Sequence, residues 1–434
     1  MTLRPATGLS RRKIRLGVVA GVVAVAACGS AGTSGDDGAV TLEVWSVIDP
    51  ESTTDPRGAA FQDQLEVFEE SHPDFKVNVT VYPFAKIAEE LIRASATGRG
   101  PDVVDVYDPV VPMHIAAESI QPLDDYAGPW LDEFGDDYIF PLEPLRGGGD
   151  SIYAMAYEMR GQVLWYRQDL LDQAGVAAPT SLSEVAASAG ALSELPGDVT
   201  GFGFGLSTDL AGSDLVEKFI PLLWGFGGEY IGEDGRAEFN SHAGVQAIEW
   251  LLSVRDNGGY GEGALRTNSD DVLAQVRAGT AAMTVGGTQR VASARTGDGV
   301  GENLVTAPIP GAEPGTVVPT LVEGWTYAIG ANSEHPDEAW EFIKAKLTSE
   351  YQVRSADAGV LPVLASTYEN GSPELLSWRD YLAEHGRSVH YPEDWSELNT
   401  DLTAAVQDII FHDAPVQETL DELAEAYNSE HGFD

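Results

Sequence analysis

Apolar and polar residues alternate along the first part of the chain with two periods, one typical of strands and one of helices. Residues 40–47, VTLEVWSV, and residues 75–82, FKVNVTVY, largely alternate between apolar and polar side chains and predict strands. Residues 57–70 and residues 84–97 carry apolar side chains at helical spacing. Residues 102–107, DVVDVY, form a short apolar-rich run suited to a buried parallel strand. The order strand, helix, strand, helix, strand predicts βαβ units and an α/β fold.

The same alternation of strand and helix patterns continues through the rest of the chain. Further strands are predicted at residues 151–157, 162–166, 201–206, 280–285 and 326–329. Further helices are predicted at residues 181–195, 212–224, 241–257, 270–278 and 336–347. The C-terminal third is expected to be mostly helical. A chain of this length is longer than the chains that usually fold around a single hydrophobic core, so two domains are expected.

The N-terminal residues have a different pattern. Arg11 and Arg12 lie in a basic stretch, which an apolar run at residues 16–27 follows. That run is too short to span a bilayer and is typical of a signal peptide, so residues 1–27 are predicted to be a lipoprotein signal peptide. The alternative of an uncleaved membrane anchor remains open. Residues 10–14, SRRKI, also resemble a twin-arginine signal, and the choice between that export route and the general one stays open.

A single cysteine follows this apolar run. Residues 25–28, VAAC, resemble the bacterial lipobox, in which the cysteine is diacylated and becomes the first mature residue. Cys28 is therefore the predicted lipidation site. Residues 28–38 contain no apolar side chain larger than alanine beyond that cysteine, and they are predicted to be a flexible tether. The expected location is extracytoplasmic, at the outer face of the cell membrane.

Charge and motif content narrow the possible functions. The chain has 69 acidic and 25 basic residues and a formal net charge of −44, so the basic surface of a nucleic-acid-binding protein is absent. Its 8 histidines are dispersed and lack the spacing of metal ligands. No nucleophile elbow, HExxH, phosphate-binding loop or CxxC motif occurs. We therefore predict a non-enzymatic protein that uses no metal or other cofactor.

One long segment resembles a known family. Residues 153–175, YAMAYEMRGQVLWYRQDLLDQAG, are similar to a hallmark of the family 1 extracellular solute-binding proteins, the maltose-binding-protein-like group. Other segments are similar to that family's pattern and follow in the same order: residues 176–184, 239–251, 278–284, 307–311, 336–343 and 359–362. Together these segments span nearly all of the chain after the tether.

The resemblance implies an α/β, two-lobed periplasmic-binding-protein-like fold of type II, with an interlobe ligand cleft and hinge crossovers. It places residues 39–151 plus 326–359 in lobe 1, and residues 153–322 plus 362–434 in lobe 2. The crossovers are expected near residues 151–157, 321–326 and 359–363. The implied function is that of a monomeric lipoprotein that captures a mono- or oligosaccharide and delivers it to the permease of an ABC importer.

Sugars present flat apolar ring faces and a girdle of hydroxyl groups, so their sites need aromatic platforms and charged acceptors. Such side chains occur at the predicted strand ends and crossovers. The predicted ligand contacts are Trp45, Asp49, Asp108, Glu158, Trp224, Gly287, Gln289, Glu323, Trp325 and Arg354.

Two of these residues carry the sharpest expectation. Trp325 is expected to stack on a sugar ring while Glu158 accepts hydrogen bonds from the same ligand, with Arg160 as a surface charge partner of Glu158. Truncating Trp325 is expected to weaken binding with little change in stability. Trp250 and Trp340, which lie on predicted helix faces, are expected to belong to the core.

Two other function classes remain as alternatives. One is a binding protein for a non-sugar solute such as a polyamine or a peptide, which a ring of carboxylates in the cleft would favour. The other is an extracytoplasmic glycoside-processing enzyme with paired carboxylates.

Overall fold

The computed structural model describes residues 39–147 and 150–433, so Cys28, the predicted signal peptide and the tether lie outside the described residues. The strands are β1 (Val40–Ser46), β2 (Phe75–Val81), β3 (Val103–Tyr107), β4 (Met155–Ala156), β5 (Arg160–Arg167), β6 (Thr200–Phe202), β7 (Ala281–Gly287), β8 (Leu304–Ala307), β9 (Thr320–Glu323), β10 (Trp325–Ile329) and β11 (Gly386–Arg387).

Helices cover the sheets and make up most of the C-terminal third. They are α1 (Pro56–Ser71), α2 (Phe84–Ser95), α3 (Val111–Ala116), α4 (Asp124–Phe134), α5 (Gln168–Ala174), α6 (Leu182–Ser193), α7 (Ser213–Gly225), α8 (His242–Asp256), α9 (Ser269–Arg277), α10 (Val291–Ala294), α11 (Pro336–Lys346), α12 (Ser349–Asp357), α13 (Pro373–His385), α14 (Trp395–His412) and α15 (Val416–Glu430).

The first sheet has the strand order β2-β1-β3-β10-β4. Strands β1, β2 and β3 are parallel, whereas β10 runs antiparallel to both β3 and β4. All five residues of β3 are buried, which is why this central strand reads as an apolar run rather than as an alternation. The parallel order of the first three strands confirms the βαβ prediction.

The second sheet has the order β11-β9-β5-β7-β6, with β8 also paired to β5. All eight residues of β5 are buried, and β7 and β8 run antiparallel to it on opposite sides. The apolar core around this sheet includes side chains from α6, α7, α8, α14 and α15.

The chain passes between the two sheets at neighbouring points. Strand β4 of the first sheet leads through Glu158 to β5 of the second, and β9 of the second leads through Gly324 to β10 of the first. A Cβ atom at Gly324 would lie 2.2 Å from the carbonyl oxygen of Glu158, so only glycine fits there. Met159 also donates its backbone N–H to the carbonyl of Leu361, which brings a third segment to this junction.

The predicted elements agree with the structure to within a few residues for most of the chain. Helix α11 begins with Pro336 in its first turn, as the sequence predicts. The strand predicted at residues 151–157 is only the two residues of β4, and β8, β9 and β11 were not predicted.

The residue ranges predicted for the two lobes stay a prediction. The pairing of one strand differs from them. The sequence assigned residues from Tyr153 onward to lobe 2. Thr326 and Tyr327 of β10 instead pair with Ala156 and Met155, so β4 belongs to the first sheet. The alternating pattern shows that such a strand exists, but it cannot show which sheet edge the strand joins.

Candidate ligand-binding cleft

A cavity of about 300 Å³, here called the central cavity, lies between elements of the two sheets and their helices. Its volume is at the small end of the range for ligand pockets. Side chains that line it include Phe84, Tyr107, Glu217, Glu323, Trp325 and Trp395. The elements that supply them are α2, β3, α7, β9, β10 and α14, which lie far apart in the sequence.

Three aromatic rings meet on one side of this cavity. Trp325 at the start of β10 is paired across the sheet with Tyr107 at the end of β3, and their ring centroids are 5.6 Å apart. Phe84, the first residue of α2, packs edge-on against Trp325 at 5.9 Å. Phe84 is 39% exposed, while Trp325 and Tyr107 are 3% and 8% exposed. The rings provide the apolar platform that a sugar face requires.

A strained turn also lines the central cavity. Leu210 and Ala211 have φ values of 57° and 53°, and Gly212 has 62°, so three successive residues are left-handed immediately before α7. This conformation is unfavourable for the first two, which both line the cavity. A Cβ atom at Gly212 would lie 1.9 Å from Oγ1 of Thr403, so close packing on α14 holds the turn in place.

Two carboxylates and one guanidinium lie close to the aromatic rings. Arg160, at the start of β5, lies with its guanidinium carbon 4.4 Å from the centre of the Tyr107 ring. Its Nε atom is 3.9 Å from Oε2 of Glu323. Asp108 accepts a hydrogen bond of 2.9 Å from the backbone N–H of Gly324. Arg160 is only 7% exposed, so its expected surface position is wrong, but it is a charge partner of Glu158, because its charge opposes the effect of burial on the pKa of that carboxyl group.

Burial shifts these carboxyl groups toward their protonated forms. It raises the pKa of Glu323 to about 7. The positive charge of Arg160 lowers this pKa in part, and the negative charge of Glu217 raises it further. Burial, followed by repulsion from Glu323, raises the pKa of Asp108 well above its ordinary value. The pKa of Glu217 is also raised by burial, and Arg160 opposes that effect.

Several polar atoms of this cluster have no hydrogen-bond partner among the described residues. They include Oδ2 of Asp108, Nε of Arg160 and Oε2 of Glu323. Asp108 and Glu323 are 0% and 2% exposed. Buried polar groups in folded proteins are nearly always paired, so these atoms are candidates for contact with a bound molecule.

Glu158 lies in a different place from Trp325. It lines a separate cavity of about 20 Å³ together with Arg57, Tyr157 and Tyr327. The residue is 2% exposed, and its Oε1 atom has no hydrogen-bond partner in the described chain. The structure therefore does not bring Glu158 and Trp325 to one ligand-sized space.

The buried Glu158 predicts a measurable pH dependence of stability. Burial raises its pKa from 4.5 to about 7, with Arg57 opposing the effect. Because the folded state favours the protonated form, the stability associated with this group is complete below pH 4.5 and is lost as the pH rises through 7. Glu158→Gln should therefore raise the free energy of unfolding at pH 8, by on the order of 3 kcal/mol at most, and change it little at pH 4.5. Thermal melts of both proteins across this range provide the measurement, and a stability difference that is the same at pH 4.5 and pH 8 would contradict it.

The other predicted contacts are scattered. Trp45 packs against Tyr82, with ring centroids 4.6 Å apart, and Asp49 is exposed and accepts a hydrogen bond from the backbone of Glu51. Arg354 lies on α12 and pairs with Glu350 of the same helix. None of the three predicted residues contributes to the lining of the central cavity.

Gly287 and Gln289 lie at the end of β7 and also lie outside the lining. A Cβ atom at Gly287 would lie 2.3 Å from Oε1 of Gln289, so the glycine makes room for that amide. Gln289 is 5% exposed, and its Oε1 atom lacks a partner in the described chain.

Trp224 lines a second, larger groove of about 1150 Å³. Its indole N–H donates to Glu229 at 3.1 Å, and the guanidinium of Arg387 lies 4.7 Å from the ring centre. Helix α3 separates this groove from the central cavity, because His114 lines the cavity while Ile115 lines the groove.

Of the ten predicted contacts, Glu323 and Trp325 therefore line the central cavity, and Asp108 lies in the cluster beside it. Sequence reasoning did not select Phe84, Glu217 or Trp395, which the structure adds. Tyr107 had a signal, since it ends a predicted strand. Trp395 begins a C-terminal helix, and nothing in its local pattern indicates a contact with residues some 300 positions earlier.

Within the described ranges, no helix is long and apolar enough to span a membrane. No group of three or more His, Cys, Asp or Glu side chains in those ranges is placed to hold a metal ion.

Comparison with known proteins gives matches over most of the chain. A family model described as bacterial extracellular solute-binding protein matches residues 51–353. The diacetylchitobiose binding protein DasA of Streptomyces coelicolor is 24% identical over 379 residues, which cover 80% of each protein.

Solved structures share the fold at lower identity. The GacH receptor of Streptomyces glaucescens, studied with acarbose, has a TM-score of 0.76 and 21% identity, covering 90% of this chain and 98% of the other. A solute-binding protein of Thermotoga lettingae bound to α-D-tagatose has a TM-score of 0.78 and 17% identity, covering 90% of this chain and 99% of the other. Lmo0181 of Listeria monocytogenes, in complex with cycloalternan, has a TM-score of 0.76 and 18% identity. The match covers 91% of this chain and 100% of the other. These likenesses confirm the two-lobed, mixed α/β fold predicted from the sequence.

Proposed function

This chain belongs to the family of bacterial extracellular solute-binding proteins, and on that premise we propose that it captures a small sugar in the central cavity for an ABC importer. The observation that carries the proposal is the meeting of the aromatic platform with Glu323, a buried carboxylate whose Oε2 atom has no partner in the described chain, at one cavity. Rings bind the apolar face of a sugar, and carboxylates accept its hydroxyl hydrogen bonds. The family is one of solute-binding proteins, which are not enzymes, and it is extracytoplasmic.

The relatives support a sugar as the ligand. DasA is a diacetylchitobiose binding protein, and the structures of similar fold hold acarbose, α-D-tagatose or cycloalternan. The central cavity of about 300 Å³ favours a mono- or disaccharide over a long chain. The proposal includes delivery of the sugar to the membrane permease by a monomeric protein.

A thermal-shift screen tests this assignment. The panel contains aldohexoses, ketohexoses, sugar alcohols, maltose and diacetylchitobiose, each with the purified protein. A sugar present at 100 times its Kd should add about 2.7 kcal/mol to the free energy of unfolding. Calorimetric titration of each hit should then give one site per chain. A panel in which no sugar shifts the melt, while a peptide or a polyamine does, would contradict the assignment.

We also propose that Cys28 carries the lipid anchor, because the lipobox contains the single cysteine of the chain. Cys28→Ser should abolish acylation and release the protein from the membrane fraction or leave the precursor uncleaved. Metabolic labelling with a fatty acid, followed by fractionation, measures both effects. Thr33→Ser in the tether provides the control and should change neither. Normal processing and membrane retention of Cys28→Ser would show that the anchor lies elsewhere.

A further inference from the structure

Negative side chains outnumber positive ones at the central cavity. Among the described residues its lining contains Asp105, Glu217 and Glu323 and no lysine or arginine. His114 also lines it, but burial lowers the pKa of that imidazole to about 4, so the ring is neutral at pH 7. Arg160 beside Glu323 supplies one positive charge. The cavity is thus more acidic than recognition of hydroxyl groups alone requires.

The carboxylates differ in their hydrogen-bond partners within the protein. Asp105 accepts hydrogen bonds from the hydroxyl groups of Ser46 and Tyr157 and from the backbone of Val47. Oε2 of Glu323, by contrast, accepts no hydrogen bond in the described chain, although the residue is 2% exposed and lines the cavity. Arg160 is 3.9 Å away, beyond hydrogen-bond distance. The Oε2 atom of Glu323 is therefore a buried acceptor that lacks a donor, although a hydrogen bond from Tyr107 lowers the pKa of the same carboxyl group.

We propose, building on the proposed function, that the central cavity selects sugars that bear a protonated amine over the corresponding neutral sugars. An ammonium group brings three donors and a full positive charge to Glu323 and Glu217, whereas a hydroxyl group brings one donor and no charge. The indole of Trp325 can stabilise a cation as well as a sugar ring, whereas the Tyr107 ring beside it already has the guanidinium of Arg160 over it.

The electrostatics of the cluster support this selection. Burial raises the pKa values of Asp108 and Glu323, repulsion from Glu323 adds to the effect on Asp108, and repulsion from Glu217 adds to the effect on Glu323. A bound ammonium group would relieve that repulsion. A neutral sugar would leave it in place.

The test compares sets of sugars that differ in one substituent. Calorimetric titrations use glucosamine, N-acetylglucosamine and glucose, then the β-1,4-linked disaccharides of the same three sugars, and then galactosamine with galactose. The amine-bearing member should bind about 10- to 100-fold more tightly than its neutral and N-acetylated counterparts. Because the chain has a net charge of −44, putrescine serves as a control for general attraction of cations, and 0.5 M salt should leave the preference in place.

Variants assign the preference to the cavity. Glu323→Gln and the less buried Glu217→Gln should each weaken binding of the amine-bearing sugar by a larger factor than binding of its neutral counterpart, and so reduce the preference for the amine. Glu341→Gln on the outer face of α11, where the side chain pairs with Lys344, should change nothing. Equal or tighter binding of the neutral or N-acetylated member overturns this inference and leaves the sugar-binding function intact. Binding of putrescine without any sugar, or of no probe at all, overturns both.

Discussion

Replacing Trp325 by alanine should weaken sugar binding by about 10- to 100-fold and should also lower the free energy of unfolding by about 3–5 kcal/mol. The indole lines the central cavity, so its loss removes one of the aromatic platforms for a sugar ring. It is also 3% exposed and packs against Tyr107 and Phe84, so truncation leaves a void in the apolar core around the first sheet. The sequence-based expectation of little change in stability is thus replaced by a loss in both properties.

Two matched variants separate the two losses. Trp340 is 7% exposed on α11 and stacks on Tyr126, and Trp250 is 8% exposed on α8, which confirms the prediction that both belong to the core. Trp340→Ala should lower stability by a similar amount with sugar affinity unchanged. Trp325→Phe should recover most of the stability and part of the affinity. Urea unfolding and calorimetric titration give the two readouts, and a Trp325→Ala protein that binds the identified sugar as tightly as the parent would remove Trp325 from the site.

The second large effect is expected at Asp214, which forms a buried ion pair with Lys218 at 2.6 Å. The side chains are 6% and 1% exposed, and Asp214 also accepts the backbone N–H of Gly205 at 2.6 Å. Asp214→Asn should lower the free energy of unfolding by about 3–5 kcal/mol, because it leaves the ammonium group of Lys218 buried without a counter-charge. The chain pairs these groups one turn apart in α7, the helix that supplies Glu217 to the cavity.

A double variant tests the physical reason. Asp214→Asn with Lys218→Met removes both charges, so it should be more stable than Asp214→Asn alone, as measured by urea unfolding. An exposed pair, Lys344 with Glu341 on α11, provides the comparison, and its loss should cost less than about 1 kcal/mol. If the double variant were as unstable as the single one, the cost would come from the lost hydrogen bond to Gly205 rather than from the unpaired charge.

The sequence predicted secondary structure well where the pattern was local. The alternation in residues 40–47 and 75–82 gave β1 and β2, and the apolar run before Asp108 gave β3. Strand β9 was missed, although all four of its residues are buried. A strand this short carries too few residues to show a period, and only its pairing with β5 establishes it.

The candidate site was predicted less completely. Glu323 and Trp325 were found because the resemblance places a crossover beside Gly324, and a crossover brings its flanking residues toward the space between sheets. Glu158 follows another crossover, yet it lies in a separate small cavity with Arg57. A residue's position near a crossover indicates proximity to the cleft but does not fix the side on which its carboxylate lies.

The sequence by itself determined the features that depend on neighbours along the chain: the α/β alternation, the N-terminal succession of basic and apolar residues, the acidic charge and the order of family-like segments. The tertiary structure alone decided which distant residues share one cavity. Phe84, Glu217 and Trp395 come from α2, α7 and α14, and their meeting depends on the pairing of β3 with β10 and on the packing of α14 against the strained turn before α7. No period in the sequence encodes such contacts, because they arise from the arrangement of whole elements rather than from the spacing of residues within one.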